Sequence, residues 1–133
     1  MLHSPPTALA IKPLPSFDDI KQLMQQETDF GTAQLNLLKQ AVNKQQAAQF
    51  RQETNALRAA VDEKSKNSAN TLTKLGVALH WLGHHRDSLE YLAKADKHPI
   101  AAFFQGEVNI SLEQPEEAQA HFKTAAQLGF DEI

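Results

Sequence analysis

The sequence predicts an all-α fold, an α-solenoid of antiparallel helix hairpins, from three observations. A helix-hairpin pattern recurs at a fixed offset, so that Leu72 to Ala95 realigns on Ala102 to Ala125. Small residues return at the same places in each copy, with Gly76 falling on Gly106. Strand signals, such as alternating apolar runs and Asn-Gly or Asp-Gly hairpins, are nearly absent. A unit repeated in this way packs on its neighbours, which predicts a helical solenoid whose function is recognition.

The chain before the repeats predicts an N-terminal extension. Four of the six prolines lie within residues 5–15. Proline holds the backbone extended, so an extended Pro-rich lead is expected over 1–15. Ser16 and Asp19 then give a capping-box pattern, which predicts a short N-terminal helix within 16–30. The apolar face of that helix would carry Ile20, Leu23 and Met24.

An earlier, degenerate hairpin is predicted over 33–62. Four residues stand at one constant offset before their counterparts in the first clear repeat: Leu37, Ala41, Leu57 and Ala60. The turn of this hairpin would fall in the polar run over 43–49. One uninterrupted helix from 33 to 62 is the alternative, because the apolar residues of this stretch also fit a single sparse stripe.

Two clear repeats follow, over 69–98 and 99–130. Gly76 and Gly106 lie in mid-helix, where glycine costs about 1 kcal/mol relative to alanine unless a neighbouring helix packs closely there. Both positions are therefore predicted to be close helix contacts. Gly83 is expected to end the first helix of its repeat, and Pro115 to begin the last helix.

The spacing of Leu72, Leu75, Gly76 and Leu79, followed by Ser88, Leu92 and Ala95, resembles the tetratricopeptide repeat (TPR) family. The second copy matches most clearly in its second helix, at Ala118, Phe122 and Ala125. The resemblance implies a TPR-like helical repeat domain over 31–133, with about three hairpins. It also implies a non-catalytic scaffold that binds a peptide or a partner subunit through a concave groove.

The groove is lined, by this resemblance, by the first helix of each hairpin. Its predicted lining residues are Asn70, Thr73, Val77, His80, Trp81, Ile100, Phe103, Glu107 and Ile110, with Ser111 beside them. The degenerate hairpin would add Leu35, Leu38, Val42, Gln45 and Gln46.

The chemistry of this predicted groove is mainly apolar. Family members that bind acidic C-terminal peptides use a clamp of Lys, Arg and Asn, and only Asn70 and Lys74 match it here. The expected ligand is therefore an extended or helical peptide that buries aliphatic or aromatic side chains. The N-terminal helix is expected either to cap the first repeat or to fill the groove.

Composition narrows the class of partner. With 133 residues and 41% hydrophobic residues, the chain is long enough for one domain with a modest core. A net charge of -3 with scattered Lys and Arg argues against nucleic acid. Cysteine is absent, which excludes disulfides and Cys-based zinc sites. There is neither an apolar run of membrane-spanning length nor a signal-peptide pattern, so no membrane span and a cytoplasmic location are expected.

Catalysis and cofactors are not expected. The sequence contains no Gly-rich phosphate loop, no HExxH motif and no recognisable nucleophile with its base. The histidines His80, His84 and His85 lie close together, but Gly83 interrupts the helical spacing that an i, i+4 metal pair requires. Half-buried packing is therefore the interpretation for His80, His85 and His121, and a histidine metal site is the weaker alternative.

The C-terminal end suggests another function. Apolar residues at Phe104, Leu112, Phe122, Leu128 and Phe130 would lie near an end that no further helix covers. Exposed apolar surface of that kind marks interaction sites. The alternative hypothesis is therefore self-assembly, as a homodimer formed through the C-terminal hairpin.

Overall fold

A computed structural model describes residues 14–27 and 29–130, and all regular structure in these ranges is helical, as predicted. The helices are α1 (Phe17–Gln25), α2 (Thr32–Ala41), α3 (Ala47–Glu63), α4 (Ala69–Trp81), α5 (His85–Lys94), α6 (Pro99–Ser111) and α7 (Pro115–Gln127). Within these ranges, no helix combines the length and the apolar character needed to cross a membrane. The predicted extended lead falls outside the described residues, except for Leu14 and Pro15.

Helix α1 begins at the predicted capping box. The backbone N–H of Asp19 donates to Ser16 Oγ at 3.0 Å, and the backbone N–H of Ser16 donates to Asp19 Oδ2 at 3.1 Å. Two N–H groups that the helix itself leaves unpaired are thereby satisfied. The buried face of α1 is the predicted one, with Ile20, Leu23 and Met24.

Helices α4 and α5 form an antiparallel pair. His80 near the end of α4 meets His85 at the start of α5, and Gly76, one turn earlier, meets Ser88 and Leu92 further along. A Cβ atom placed on Gly76 would lie 2.5 Å from Leu92 Cγ. The predicted close helix contact at this glycine is confirmed.

Helices α6 and α7 repeat that arrangement in the second repeat. A Cβ atom on Gly106 would lie 2.5 Å from Phe122 Cε1, which confirms the second predicted contact. Asn109 Oδ1 lies 2.7 Å from His121 Nδ1, one turn nearer the connection between the two helices. Helix α5 also packs on α6, so the two pairs join into one layered array.

Three helix ends share one turn geometry. Gly83, Glu113 and Gly129 follow α4, α6 and α7 with φ of 88°, 59° and 92°. In each turn the next residue donates its N–H back into the helix, for example His84 to Leu79 O at 2.9 Å. These are the bonds of a Schellman motif, which favours glycine at the left-handed position. Glu113 occupies that position without being glycine.

The N-terminal half differs from a regular hairpin. Helices α2 and α3 are separated by a turn over 42–46, so the alternative of one continuous helix is wrong. The turn is held by Asn43, whose Oδ1 accepts the backbone N–H of Gln46, while the Gln46 amide donates to Pro15 O. Helix α1 packs against both α2 and α3, which in the described residues do not pair as closely as α4 and α5.

The apolar residues expected at the C-terminal end are buried to different degrees. Phe104 is buried, and Leu112, Phe122 and Phe130 are partly buried. The turn after α7 brings the Phe130 ring against Phe103. Among these apolar residues, Leu128 remains exposed, at 37%.

Candidate binding cleft

An open cleft of about 300 Å³ lies where α2, α4 and α6 converge. We call it the central cleft. Its lining residues are Thr32, Leu35, Asn36, Lys39, His80, Trp81, Phe103, Phe104, Glu107 and Phe130. The helices that form it are far apart in sequence, so the cleft exists only once the array is packed.

Aromatic rings form one continuous wall of the central cleft. Trp81 meets Phe104 edge-on with ring centroids 5.6 Å apart, and Phe103 meets Phe104 at 5.5 Å. Both geometries are favourable for aromatic pairs. Phe104 is 6% exposed, whereas Phe103 is only partly buried and faces the cleft. Both adjacent phenylalanines thus line the cleft, Phe104 from within the core and Phe103 with the more exposed ring.

Helix α2 supplies a polar rim opposite the aromatic wall. Thr32, Asn36 and Lys39 are spaced three or four residues apart, which places them on one face of a helix. All three are exposed, while Leu38 and Ala41 of the same helix are buried. The cleft therefore has an apolar wall and a hydrogen-bonding edge.

The predicted groove residues separate into distinct groups. The central cleft brings together His80, Trp81, Phe103 and Glu107. Three others, Thr73, Val77 and Ile100, are buried inside the array, and Ile110 is 52% exposed and outside the cleft. Of the five residues predicted from the degenerate hairpin, only Leu35 lines it, since Leu38 and Gln46 are buried and Val42 and Gln45 point to the exposed surface. The sequence prediction missed Thr32, Asn36, Lys39, Phe104 and Phe130.

The N-terminal part of the predicted groove is covered by the chain itself. Lys74 is 3% exposed, and its Nζ donates to the carbonyl oxygens of Leu23 and Gln26 at 2.6 and 2.8 Å. These carbonyls lie at the end of α1, where a helix leaves acceptors unpaired. Burial lowers the pKa of Lys74 to about 8, and the Glu27 carboxylate opposes that shift.

Asn70 binds the segment that follows α1. Its Oδ1 accepts the backbone N–H of Phe30 at 2.9 Å and lies 2.9 Å from His98 Nε2. Since this oxygen accepts, His98 Nε2 carries the proton in that contact. Asn70 and Lys74, the two residues that match the family's peptide clamp, therefore hold the chain's own backbone. The N-terminal helix and its connection cover the first half of α4 and leave the second half open.

His80, His85 and His121 pack half-buried, as predicted. His80 Nδ1 and His85 Nδ1 are 3.0 Å apart, a distance at which one ring donates to the other. Burial, together with His85, lowers the pKa of His80 to about 4, so the His80 ring is neutral at neutral pH. In the part of the chain that the structure describes, no group of three or more His, Cys, Asp or Glu residues is placed to hold a metal ion.

A second polar cluster joins α3 to α5. Tyr91 donates its hydroxyl to Asp62 Oδ1 at 2.7 Å, and Arg58 donates to the Tyr91 oxygen at 3.3 Å. Arg58 also pairs with Asp87 at 3.1 Å. These contacts tie together two helices whose contacting residues are far apart in sequence, so no local motif indicates them.

No protein-family model, curated protein or solved structure matches this chain.

Proposed function

We propose that this protein is a non-catalytic protein-interaction module whose central cleft binds a peptide segment of a partner. The observation that carries the proposal is the half-buried aromatic wall at Trp81 and Phe103, open to solvent and faced by polar side chains of α2. Apolar surface that a folded chain leaves open in a concave site is characteristic of ligand-binding clefts.

The shape and chemistry of the cleft favour a peptide over a charged small molecule. A neighbouring cavity of about 320 Å³ shares Phe103, Glu107 and Phe130 with the central cleft and extends it along α6 and α7. Adjacent apolar pockets of this size accept successive side chains of one segment, and the polar groups of Thr32 and Asn36 can pair with its backbone. An acidic C-terminal tail is disfavoured, because Lys74 and Asn70 are already bonded within the chain.

We propose further that the array is a TPR-like solenoid. Two observations support this proposal. The Gly76–Leu92 contact recurs in the second repeat as Gly106–Phe122, with the same spacing within each pair. The turn at Gly83 likewise recurs at Glu113. The first hairpin departs from the regular pattern, because α1 packs against both of its helices.

Selection of random peptides against the purified chain, followed by titration, tests the proposed function. Asn36→Phe places a ring in the central cleft from an exposed position, so folding should be unaffected and binding of cleft ligands should fall. Gln119→Phe makes the same kind of change on the exposed surface of α7 and serves as the matched control. Trp81 is the sole tryptophan and lines the cleft, so its emission reports binding there.

The expected result is a set of peptides that shift Trp81 emission and bind the native and Gln119→Phe chains alike. Their affinity for Asn36→Phe should fall at least about tenfold, which corresponds to about 1.4 kcal/mol. Peptides whose binding is the same in all three chains, or a selection that yields none, would contradict the proposal.

A further inference from the structure

The position of Phe130 indicates what the cleft recognises. Gly129 adopts φ of 92°, and the N–H of Phe130 donates to Ala125 O at 3.0 Å. This turn reverses the chain after α7 and lays the Phe130 ring on Phe103, with centroids 4.6 Å apart and planes inclined by 32°. The chain thus places one of its own aromatic side chains against the aromatic wall.

Phe130 borders three cavities. It lines the central cleft, the cavity along α6 and α7, and a third cavity of about 570 Å³ that also includes Phe30, His98 and Ile100. Thr32 is shared by the first and third cavities. Among the described residues, the ring is therefore the one side chain common to all three cavities, and its removal would enlarge each of them.

Phe130 is held by a helix-cap turn and by partial packing against the core. In the described residues its backbone is fixed by the helix-cap turn at the end of α7, and its ring is only partly buried. An aromatic pair owes part of its stability to ring geometry, beyond the area it buries. A ligand that supplies an equivalent ring can compensate for that contact, whereas an aliphatic side chain compensates for less.

Building on the proposed function, we propose that the cleft recognises a peptide segment with an exposed aromatic side chain, and that Phe130 competes with that side chain from within the molecule. A site that is open only part of the time has an apparent affinity reduced by the open fraction. Removing the ring should therefore raise the affinity for such a segment by roughly two- to tenfold.

The test uses an acetylated, amidated hexapeptide with the sequence of residues 125–130, AAQLGF, and its counterpart AAQLGA. Each is titrated into the native chain, Phe130→Ala and Phe17→Ala, with Trp81 emission as the readout. Phe17 is exposed at the start of α1 and away from the cleft, which makes Phe17→Ala the matched control. Phe130→Leu keeps an apolar side chain and replaces Phe130→Ala if the latter loses its cooperative melt.

We expect AAQLGF to bind Phe130→Ala at least about twofold more tightly than it binds the native or Phe17→Ala chains. The peptide AAQLGA, which lacks the ring, should bind each of the three chains more weakly than AAQLGF does. Equal affinity for native and Phe130→Ala would overturn the competition. Weaker binding to Phe130→Ala would make the ring part of the binding surface, which also overturns it. The proposed function is tested separately: if the selected peptides lose affinity for Asn36→Phe, the cleft binds peptides even where the competition by Phe130 is contradicted.

Discussion

Replacing Gly76 by alanine tests the packing that holds α4 against α5. The added Cβ atom would lie 2.5 Å from Leu92 Cγ and Cδ2 and 3.4 Å from the Leu92 backbone nitrogen. Carbon atoms pack best at about 3.5–4.0 Å, so the overlap is about 1 Å. Leu92 is 0% exposed and cannot move toward solvent. The helices must therefore separate, at a cost of about 1–3 kcal/mol.

A second effect of the substitution partly offsets this loss of stability. Alanine in mid-helix is more favourable than glycine by about 1 kcal/mol, because the unfolded glycine chain has more freedom to lose. The net effect expected for Gly76→Ala is a loss of up to about 2 kcal/mol in the free energy of unfolding. Gly106→Ala is the matched comparison, since its Cβ atom would meet the Phe122 ring. That ring borders an open cavity and can move, so we expect Gly106→Ala to be nearly neutral.

Urea unfolding, followed by Trp81 emission and by helical circular dichroism, measures both variants. The double variant Gly76→Ala/Leu92→Ala adds the decisive comparison. Leu92→Ala alone should cost about 2–5 kcal/mol through the cavity it leaves. The added methyl group fills part of that cavity, so the double variant should lose less than the sum, with a coupling of about 1 kcal/mol. Additive losses, or a Gly106→Ala variant as damaged as Gly76→Ala, would refute this account of the packing.

The turn geometry, the cleft histidine and the C-terminal end give three further predictions. Glu113→Gly should raise the free energy of unfolding by about 0.5–1 kcal/mol, because the left-handed conformation of this residue suits glycine. Gly83→Ala should lower the free energy of unfolding in the same urea assay, because it places a side chain at a left-handed position. His80 has a folded pKa of about 4, below its ordinary 6.5. Between these two pH values the unfolded chain binds more protons than the folded chain, so the free energy of unfolding should fall as the pH drops from 6.5 toward 4. The fall should be smaller in His80→Gln. If the free energy of unfolding of His80→Gln depends on pH as steeply as that of the native chain, this assignment is contradicted. Sedimentation should report a monomer at high micromolar concentration because the Phe130 ring packs against Phe103 of its own chain, whereas a dimer disrupted by Leu128→Lys would support the self-assembly hypothesis.

Features that depend on local sequence were predictable. The capping box at Ser16, the left-handed Gly83 and the helix start at Pro115 each follow from interactions within a few residues. The contacts at Gly76 and Gly106 were predictable for a different reason. A mid-helix glycine is unfavourable by itself, so its recurrence at a fixed offset indicates a packing demand.

The candidate site was only half predictable. His80, Trp81, Phe103 and Glu107 lie on two repeats whose register follows from their constant offset in the chain, and they do converge. The opposite rim could not be found this way, because it comes from α2, whose pairing is altered by α1. Phe130 was expected at a bare end, and only the geometry of the turn at Gly129 directs it back into the cleft.

The covered half of the groove is a fixed part of the fold and differs in kind from the Phe130 contact. Lys74 is buried, and both of its hydrogen-bond acceptors are backbone carbonyls of the N-terminal segment. Displacing that segment would break both hydrogen bonds of the Lys74 ammonium group and expose the buried side chains of Ile20, Leu23 and Met24, a cost of several kcal/mol. Lifting Phe130 away breaks its ring contact with Phe103, the packing of one partly buried side chain and a helix-cap turn at the protein surface. A ligand can compete with the second contact far more readily than with the first, which favours recognition in the open half of the groove beside Trp81.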